Sequence, residues 1–373
     1  MEKMTNKITV RALPFHCPNC GSFMVHKVKT HSLECVNCKS TKAIDVKAHQ
    51  FQKELLSQRD ASSIVALEKI VDCPGCGADI DFSFFELSKN CPYCKTPLVT
   101  KAFNKVPIAA IIPFFIDKNE AKTIFKNWLG SLWFAPNSLS NLKNFEHNFK
   151  AIYTPYFSFD AKTRSFYQGQ RGDAYYVQVE RTIYRNGREE IIREMERRIQ
   201  WYDVQGVVKR DFYNILIEAQ KDLPTIIQKL KQYDLNRLLD FNPSFLSGYE
   251  ALEYNQEIQD SFIKAKKYME SIIYEDVIWD IGGDEQRVYK ISTNYQDEKF
   301  ELLFLPVWIS RFKYANKEYD IVINGVSGEI IGERPYSYIK ILLLIIFLIT
   351  IAAIFYIANS PELSEKLFSF IAF

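Results

Sequence analysis

The stretch "CPGCGADIDFSFFELSKNCPYC", residues 73–94, contains two Cys-x-x-Cys pairs with fourteen residues between them. A Cys-x-x-Cys turn lets two thiolates approach one ion, and a second such turn returned by a β-hairpin completes a tetrahedral site. The spacing therefore predicts a zinc ribbon whose ligands are Cys73, Cys76, Cys91 and Cys94. Because four thiolates fill the coordination sphere, we expect a structural rather than a catalytic zinc ion.

The same pattern occurs earlier in the chain at a constant offset, with Cys17, Cys20, Cys35 and Cys38. The sequence thus predicts two structural Zn²⁺ sites that use all eight cysteines. Disulfide-stapled loops are the alternative, but they need an oxidising compartment, and the N-terminal "MEKMTNKITVRALPF" lacks the apolar segment of a signal peptide. Four histidines in or beside the first ribbon are alternative ligands: His16, His26, His31 and His49.

The segment "IKILLLIIFLITIAAIFYIA", residues 339–358, predicts a transmembrane helix. Twenty helical residues span about 30 Å, which matches the hydrocarbon thickness of a bilayer. Tyr336, Tyr338 and Tyr356 near its ends are typical of interfacial aromatic residues. Arg334 and Lys340 precede the segment, so the positive-inside bias favours a tail-anchored, single-pass protein of the cell (inner) membrane with its N-terminal bulk in the cytoplasm.

We therefore predict an α+β fold with two tandem four-cysteine zinc ribbons, a mixed α/β body with antiparallel sheet and one C-terminal transmembrane helix. The expected divisions are ribbon 1 (1–44), a helical connector (45–72), ribbon 2 (73–100), the body (101–335), the transmembrane helix (336–358) and a short tail (359–373). The connector is predicted from apolar residues at helical spacing without Pro or Gly.

Within the body, helices are expected at "KNEAKTIFKNWLGSLW", "LPTIIQKLKQY" and "NQEIQDSFIKAKKYMESIIYEDV". One hairpin is expected around Asn186-Gly187 and another around Asn324 to Gly328. The segments "YTPYFSFDAKTRSFYQG" and "FLPVWISRFKYANKEYD" share an aromatic-x-Pro-x-aromatic start. They indicate similar strands in one sheet system, with Pro155 and Pro306 at strand starts or edges.

The run "LPVWISRFKYANKEYDIVINGVSGEIIGERPYSYIKI", with "IGGDEQRVY", "IIPFFIDKNEA" and the CPxC turns before it, resembles a family of bacterial zinc-ribbon membrane proteins. These are often labelled primosomal protein N′ (replication factor Y) or helicase-like. The resemblance extends to the zinc-ribbon membrane protein of phage-shock, membrane-stress groups. It implies a role in recruiting a flotillin-like or PspA-type protein partner, and only the eight cysteines transfer residue by residue.

The residues do not support the helicase label or any defined chemistry. The chain lacks the GxxxxGK[ST] phosphate cradle, and after His147 it has neither histidine nor cysteine. The carboxylate pairs Asp280/Asp284 and Asp203/Asp211 are interpreted as surface residues. We therefore nominate no catalytic residue and expect a non-enzyme without an evident small-molecule substrate; an enzyme of unknown chemistry is a competing class.

Nucleic-acid binding is the alternative function, and it depends on the first ribbon. Residues 1–50 carry eight Lys or Arg against three Asp or Glu, whereas residues 51–105 balance seven against seven. The residues proposed to contact a polyanion are Lys27, Lys29, Lys39 and Lys42. The same basic charge also suits an anionic membrane surface. Recruitment of a protein partner by a membrane-anchored adaptor is the favoured hypothesis.

Overall fold

The computed structural model describes residues 7–58, 64–139, 149–185, 188–230 and 233–359, a part of the chain that is rich in β-strand. Its first ten strands are β1 (Lys7–Arg11), β2 (Met24–His26), β3 (Ser32–Cys35), β4 (Thr41–Ala43), β5 (Glu54–Leu55), β6 (Glu68–Asp72), β7 (Asp79–Phe82), β8 (Glu86–Asn90), β9 (Pro97–Val99) and β10 (Ile108–Ile111). The others are β11 (Lys150–Arg185), β12 (Arg188–Glu218), β13 (Leu239–Asp240), β14 (Glu250–Leu252), β15 (Glu285–Tyr314), β16 (Lys317–Asn324) and β17 (Ile330–Gly332). The α-helices are α1 (Lys118–Ser131), α2 (Ile258–Ile281) and α3 (Tyr338–Ala358).

The chain forms two compact units. The first contains Met1–Phe114, Ile152–Leu223 and Asp234–Pro306. The second contains Phe115–Ala151, Pro224–Tyr233 and Val307–Phe373. Both cysteine groups therefore belong to the same unit as much of the predicted body.

The first unit is organised by a sheet with the strand order β13-β10-β15-β11-β14-β8-β9, in which β12 pairs with β11 and β5 pairs with β15. Two smaller sheets have the orders β1-β6-β7 and β2-β3-β4. Because side chains alternate along a strand, Phe157, Phe159 and Ala161 of β11 lie on one face. That face contributes to a core with the apolar stripe of α2, which includes Phe262 and Met269.

β11 and β12 form a long antiparallel hairpin that begins at the pair Tyr156–Glu218. This confirms the two predicted strands, while the predicted Asn186-Gly187 turn lies outside the described residues. The strand next to β11 on its other side, β15, begins at Glu285. The N–H of the preceding residue, Asp284, donates to the Gly172 carbonyl, so β15 starts beside the middle of β11. Between residues 174 and 184 and between 188 and 200 no described side chain is buried.

The predicted helical connector is wrong for the described residues of 45–72. No α-helix forms there, because side chains of this segment contact the main sheet and β5 pairs with β15. His49 contacts Asp240 at 2.9 Å and Glu301 at 3.1 Å. The ammonium of Lys53 lies 2.5 Å from the Asp160 carboxylate, and burial lowers the pKa of Lys53 despite this partner. Only Leu56–Gln58 form a short 3-10 turn, and Glu68–Asp72 form β6.

The second unit contains the antiparallel strands β16 and β17, the Val307–Tyr314 part of β15, and helices α1 and α3. α1 confirms the predicted helix and begins with a capping box, in which Asp117 accepts from Glu120 N–H and the Glu120 carboxylate accepts from Asp117 N–H. The predicted hairpin around Asn324 to Gly328 is also confirmed, since β16 pairs antiparallel with β17, and Asn324 Oδ1 accepts from Val326 N–H between them.

Two further predictions require correction. The segment "LPTIIQKLKQY" forms a 3-10 turn over Thr225–Lys229 that ends at the extended Leu230. Ile226 and Ile227 are adjacent in sequence and both are buried. This pattern fits a short packed turn and not the single buried face of an α-helix. The similar aromatic-Pro strands are neighbours in one sheet, as predicted, but both prolines lie inside β11 and β15. Pro306 falls between the pairing with β10, which ends at Phe304, and the pairing with β16, which starts at Val307.

Candidate metal centres

The first cysteine group brings its four sulfur atoms together around one point. Cys35 ends β3, which pairs with β2 and β4, while the other three cysteines lie in the adjoining turns. The Sγ atoms of Cys17 and Cys38 are 3.5 Å apart, as are those of Cys20 and Cys35. All four sulfur atoms lie within 4.8 Å of one another. This cluster of Cys17, Cys20, Cys35 and Cys38 is called the first cluster.

The second cysteine group has the same arrangement. The Sγ atoms of Cys73 and Cys94 are 3.4 Å apart, and those of Cys76 and Cys91 are 3.9 Å apart. A tetrahedral ion with metal–sulfur bonds of about 2.3 Å, the value for zinc, separates its sulfur ligands by about 3.8 Å. The four cysteines, called the second cluster, therefore fit such an ion, as do those of the first cluster.

Each turn owes its shape to the residue four positions after its first cysteine. These residues have a left-handed backbone, with φ of +73° at Gly21, +60° at Lys39, +73° at Gly77 and +63° at Lys95. The N–H groups of Gly21, Gly77 and Lys95 donate to the carbonyls of Cys17, Cys73 and Cys91. The turn thereby places both thiols of a pair on the same side of the chain.

Two hydroxyl groups add polar contacts to the sulfur atoms. Ser40 Oγ lies 3.1 Å from the Sγ atoms of Cys17 and Cys38, and it is the main cause that lowers the pKa of Cys17 to about 6. Thr96 Oγ1 lies 3.1 Å from Cys94 Sγ. Burial raises the pKa of Cys94, but hydrogen bonds led by that of Thr96 outweigh it, and the pKa falls to about 6. Metal binding requires thiolates, so these hydroxyls favour the binding form.

These hydroxyl groups were not predicted from the sequence, although the repeat contains a signal for them. Ser40 precedes Thr96 by the same offset that separates Cys38 from Cys94, and Gly21 precedes Gly77 by that offset too. Comparing the two halves beyond the cysteines would have identified both pairs.

None of the described histidines joins a cluster, because both groups of candidate ligands consist of cysteines alone. His16 Nδ1 lies 3.2 Å from the Gly21 carbonyl, and His49 contacts two carboxylates. His26 is buried beside Phe245, its Nε2 lies 2.9 Å from the Thr30 carbonyl, and burial lowers its pKa to about 4. The backbone N–H of Ile44 donates to the carbonyl of His31.

The lysines predicted to contact a polyanion have different surroundings. Lys27 forms an ion pair with Glu34 at 2.7 Å, and Lys39 donates to the Val36 carbonyl at 3.3 Å. Lys29 occupies a left-handed turn position, and Lys42 is exposed on β4. Because Lys27 is paired with Glu34, its ammonium is less available for a phosphate contact.

The second cluster is tied to the main sheet of the first unit. β8, which lies between its cysteine pairs, pairs with β14 and with β9 and so belongs to that sheet, whereas β7 of the same segment pairs with β6. The Lys69 ammonium of β6 contacts Glu253 Oε1 at 2.8 Å, and both side chains are buried. The N–H groups of Phe103 and Asn104 satisfy the other Glu253 oxygen. The second cluster is therefore held by a buried charge pair as well as by strand pairing.

The remaining candidate feature is α3. Within the described residues it is the one helix long and apolar enough to cross a membrane; the span Tyr338–Tyr356 has a mean hydropathy of 2.8, and none of it is buried. A core helix of a soluble domain would bury such side chains.

Comparisons with known proteins assign no activity. No family model matches the chain, and no solved structure matches it. The chain is 24% identical over 337 residues to "Uncharacterized protein YdjG" of Bacillus subtilis (strain 168). The alignment covers 88% of this chain and 92% of that relative. The similarity therefore extends over most of both proteins.

Proposed function

We propose that the protein is a non-enzymatic, membrane-anchored adaptor that recruits a cytosolic or membrane-associated protein. In this proposal α3 crosses the cell membrane once, and the cysteine clusters lie on the cytoplasmic side. The observation that carries the proposal is the exposed 19-residue apolar span of α3 in a chain that also has two four-cysteine clusters. An apolar helix exposed on all faces needs a lipid environment.

Zinc is the metal we propose for both clusters. Four thiolates at tetrahedral spacing suit zinc, and the closed donor set has no open position for a substrate or water. The ion would contribute folding free energy to the turns, which have few buried side chains of their own. Its role in the adaptor is to fix the surface that the turns present.

The second cluster offers the better docking surface. Tyr93 lies between Cys91 and Cys94 and is 74% exposed. Exposed tyrosine on a rigid turn is typical of residues that dominate protein–protein interfaces. The charges beside the cluster are balanced in part, since Asp81 pairs with Lys7 and Glu86 pairs with Lys89. A near-neutral surface with an exposed aromatic residue suits a protein partner better than a polyanion.

The family resemblance supports a flotillin-like or PspA-type protein as this partner. The test is to crosslink the full-length protein mildly in membranes, purify it and identify what remains bound. The variant Tyr93→Ala removes the aromatic side chain without touching a metal ligand. Val36→Ala is the matched control, because Val36 is an exposed residue between Cys35 and Cys38, as Tyr93 is between Cys91 and Cys94. Cys73→Ser/Cys76→Ser removes the second cluster.

We expect to recover a flotillin-like or PspA-type protein with the wild type and with Val36→Ala, and to lose it with Tyr93→Ala and with the double cysteine variant. Unchanged recovery with Tyr93→Ala would refute the second cluster as the docking surface. Recovery of nuclease-sensitive nucleic acid without a specific protein would refute the adaptor function and favour nucleic-acid binding through the lysines of the first ribbon, which are Lys27, Lys29, Lys39 and Lys42.

A further inference from the structure

The segment Trp133–Ala135, which follows α1, is bound to the start of α3 by three hydrogen bonds. The N–H of Ser337 donates to the Phe134 carbonyl at 2.7 Å. The Lys340 ammonium donates to the carbonyls of Trp133 at 3.0 Å and Ala135 at 2.8 Å. This segment, here called the anchor loop, is therefore held at the turn where the apolar span begins.

The two elements that lead to the anchor loop and to α3, which are α1 and β17, also pack closely against each other. A methyl group on Gly332 of β17 would overlap the ring of Trp128, so α1 and β17 approach as closely as glycine allows. A short connection then leads from Gly332 to Tyr338, the first residue of α3. The distance between the anchor loop and the start of α3 is thus restricted through α1 and β17 as well as by the hydrogen bonds.

Large aromatic side chains at this position are exposed. Trp133 is 81% exposed and Tyr338 is 85% exposed, and Tyr336, two residues before Tyr338, is also exposed. Tryptophan is usually well buried in soluble domains. Trp and Tyr are enriched where a membrane protein meets the headgroup region, because their rings are apolar and their N–H or O–H groups remain hydrated.

The length of α3 places this aromatic group at a definite depth. The 19 residues of the span rise about 28 Å, close to the hydrocarbon thickness of about 30 Å. A bilayer that covers the whole span must therefore have its boundary at the first turn of α3. That turn is where Lys340 binds the anchor loop.

We propose that Trp133, together with Tyr336 and Tyr338, inserts into the headgroup–acyl boundary of the bilayer and forms a second membrane contact outside the transmembrane helix. This inference rests on the proposed membrane span of α3. No local pattern in the sequence indicates it, because Trp133 and Tyr338 are far apart along the chain. A bilayer is the occupant favoured over a protein because the hydrogen bonds hold Trp133 at the depth of the boundary.

The test uses the full-length protein reconstituted into phosphatidylcholine vesicles with or without brominated acyl chains, which quench tryptophan fluorescence on contact. The variant is Trp133→Phe. Trp279→Phe is the matched control, because Trp279 is 87% exposed on α2, far from α3 in sequence. Flotation of the vesicles reports whether the protein is in the membrane.

We expect brominated lipid to quench the wild type and Trp279→Phe, and Trp133→Phe to lose most of this quenching. Bromine close to the headgroup should quench more than bromine near the acyl end. If the protein floats with the vesicles but Trp133→Phe is quenched as much as the wild type, the anchor-loop contact is refuted and the membrane span stands. If the protein does not float with the vesicles, both the membrane span and the anchor-loop contact are refuted.

Discussion

Single residues show how the two clusters differ within one pattern. The second position after the first cysteine is Asn19 in the first cluster and Gly75 in the second. A methyl group on Gly75 would overlap Thr96 Oγ1 and lie 3.2 Å from Cys94 Sγ. Glycine is therefore required there by the close approach of a ligand and of the hydroxyl beside it.

The variant Gly75→Ala should displace Thr96 from Cys94 and lower the zinc affinity of the second cluster. Loss of a hydrogen bond next to a metal ligand typically costs about 10- to 100-fold in affinity. Zinc release to a chelator, followed with a coloured indicator, measures this: one of the two expected ions should be released more readily. Asn19→Ala is the control and should behave as the wild type. Equal behaviour of both variants would contradict the crowding argument.

His26 should make stability depend on pH. Burial lowers its pKa to about 4 from an ordinary value of 6.5. As the pH falls from 6.5 to 4, the unfolded chain takes up a proton that the folded chain does not, so the free energy of unfolding decreases. The loss reaches about 3 kcal/mol. Urea unfolding of the wild type and of His26→Phe, measured as a function of pH, tests this. Acid protonates the cysteines of both proteins equally, so only the difference between the two profiles reports on His26. Parallel profiles would contradict the prediction.

Among the elements, the β11–β12 hairpin is unusual because it extends far past the end of the neighbouring strand β15. Residues 174–184 pair with residues 189–199 of the other strand, and residues 174–184 and 188–200 bury no described side chain. Their contacts with the start of β15 include those of Ala174 N–H with the Asp284 carboxylate and of Arg197 with Glu285. Cross-strand ion pairs such as Arg193–Glu180 at 3.0 Å are exposed and contribute little. A two-stranded hairpin without a core is marginally stable in water.

Amide hydrogen exchange should therefore differ along the same strand. Peptides covering residues 174–184 should exchange faster than those covering 157–166, whose side chains include core residues packed near α2. Mass spectrometry of the full-length protein in detergent measures both. Equal protection of the two regions would contradict the prediction and would indicate that residues 174–184 are covered.

The link between β6 and β14 depends on the Lys69–Glu253 pair. Lys69→Met leaves a buried carboxylate without its cation and should reduce the free energy of unfolding by about 3–5 kcal/mol. Lys69→Met/Glu253→Gln removes both charges and should recover part of the loss. Denaturant unfolding of the two single variants and the double variant forms the cycle. Additive losses would show that the two side chains are not coupled.

At the scale of the whole molecule, the proposed anchor determines where the protein is found. The wild type should remain with membranes after alkaline carbonate extraction, because transfer of the span to water exposes its apolar side chains. A chain ending at Ser337 should appear in the soluble fraction. Immunoblotting of both fractions measures this. A wild type released by carbonate would contradict a membrane-spanning α3.

The sequence predicted local features well because their causes are local. The cysteine spacing identified both clusters, and helical periodicity identified α1 and α2. The 45–72 connector was mispredicted because β5 pairs with the distant strand β15, where Leu55 lies opposite Lys299. Lys53 and Lys69 were likewise unrecognised, because their carboxylate partners Asp160 and Glu253 are distant in sequence.

What the sequence determined by itself is the chemistry that a short segment carries: eight thiols in two matched groups and one apolar span long enough for a bilayer. What only the tertiary structure decided is which distant residues meet. It brought the second cluster into the main sheet through β8, and it placed Trp133 at the start of α3. The physical reason is that spacing and periodicity act within a few residues, whereas strand pairing and burial select partners from the whole chain.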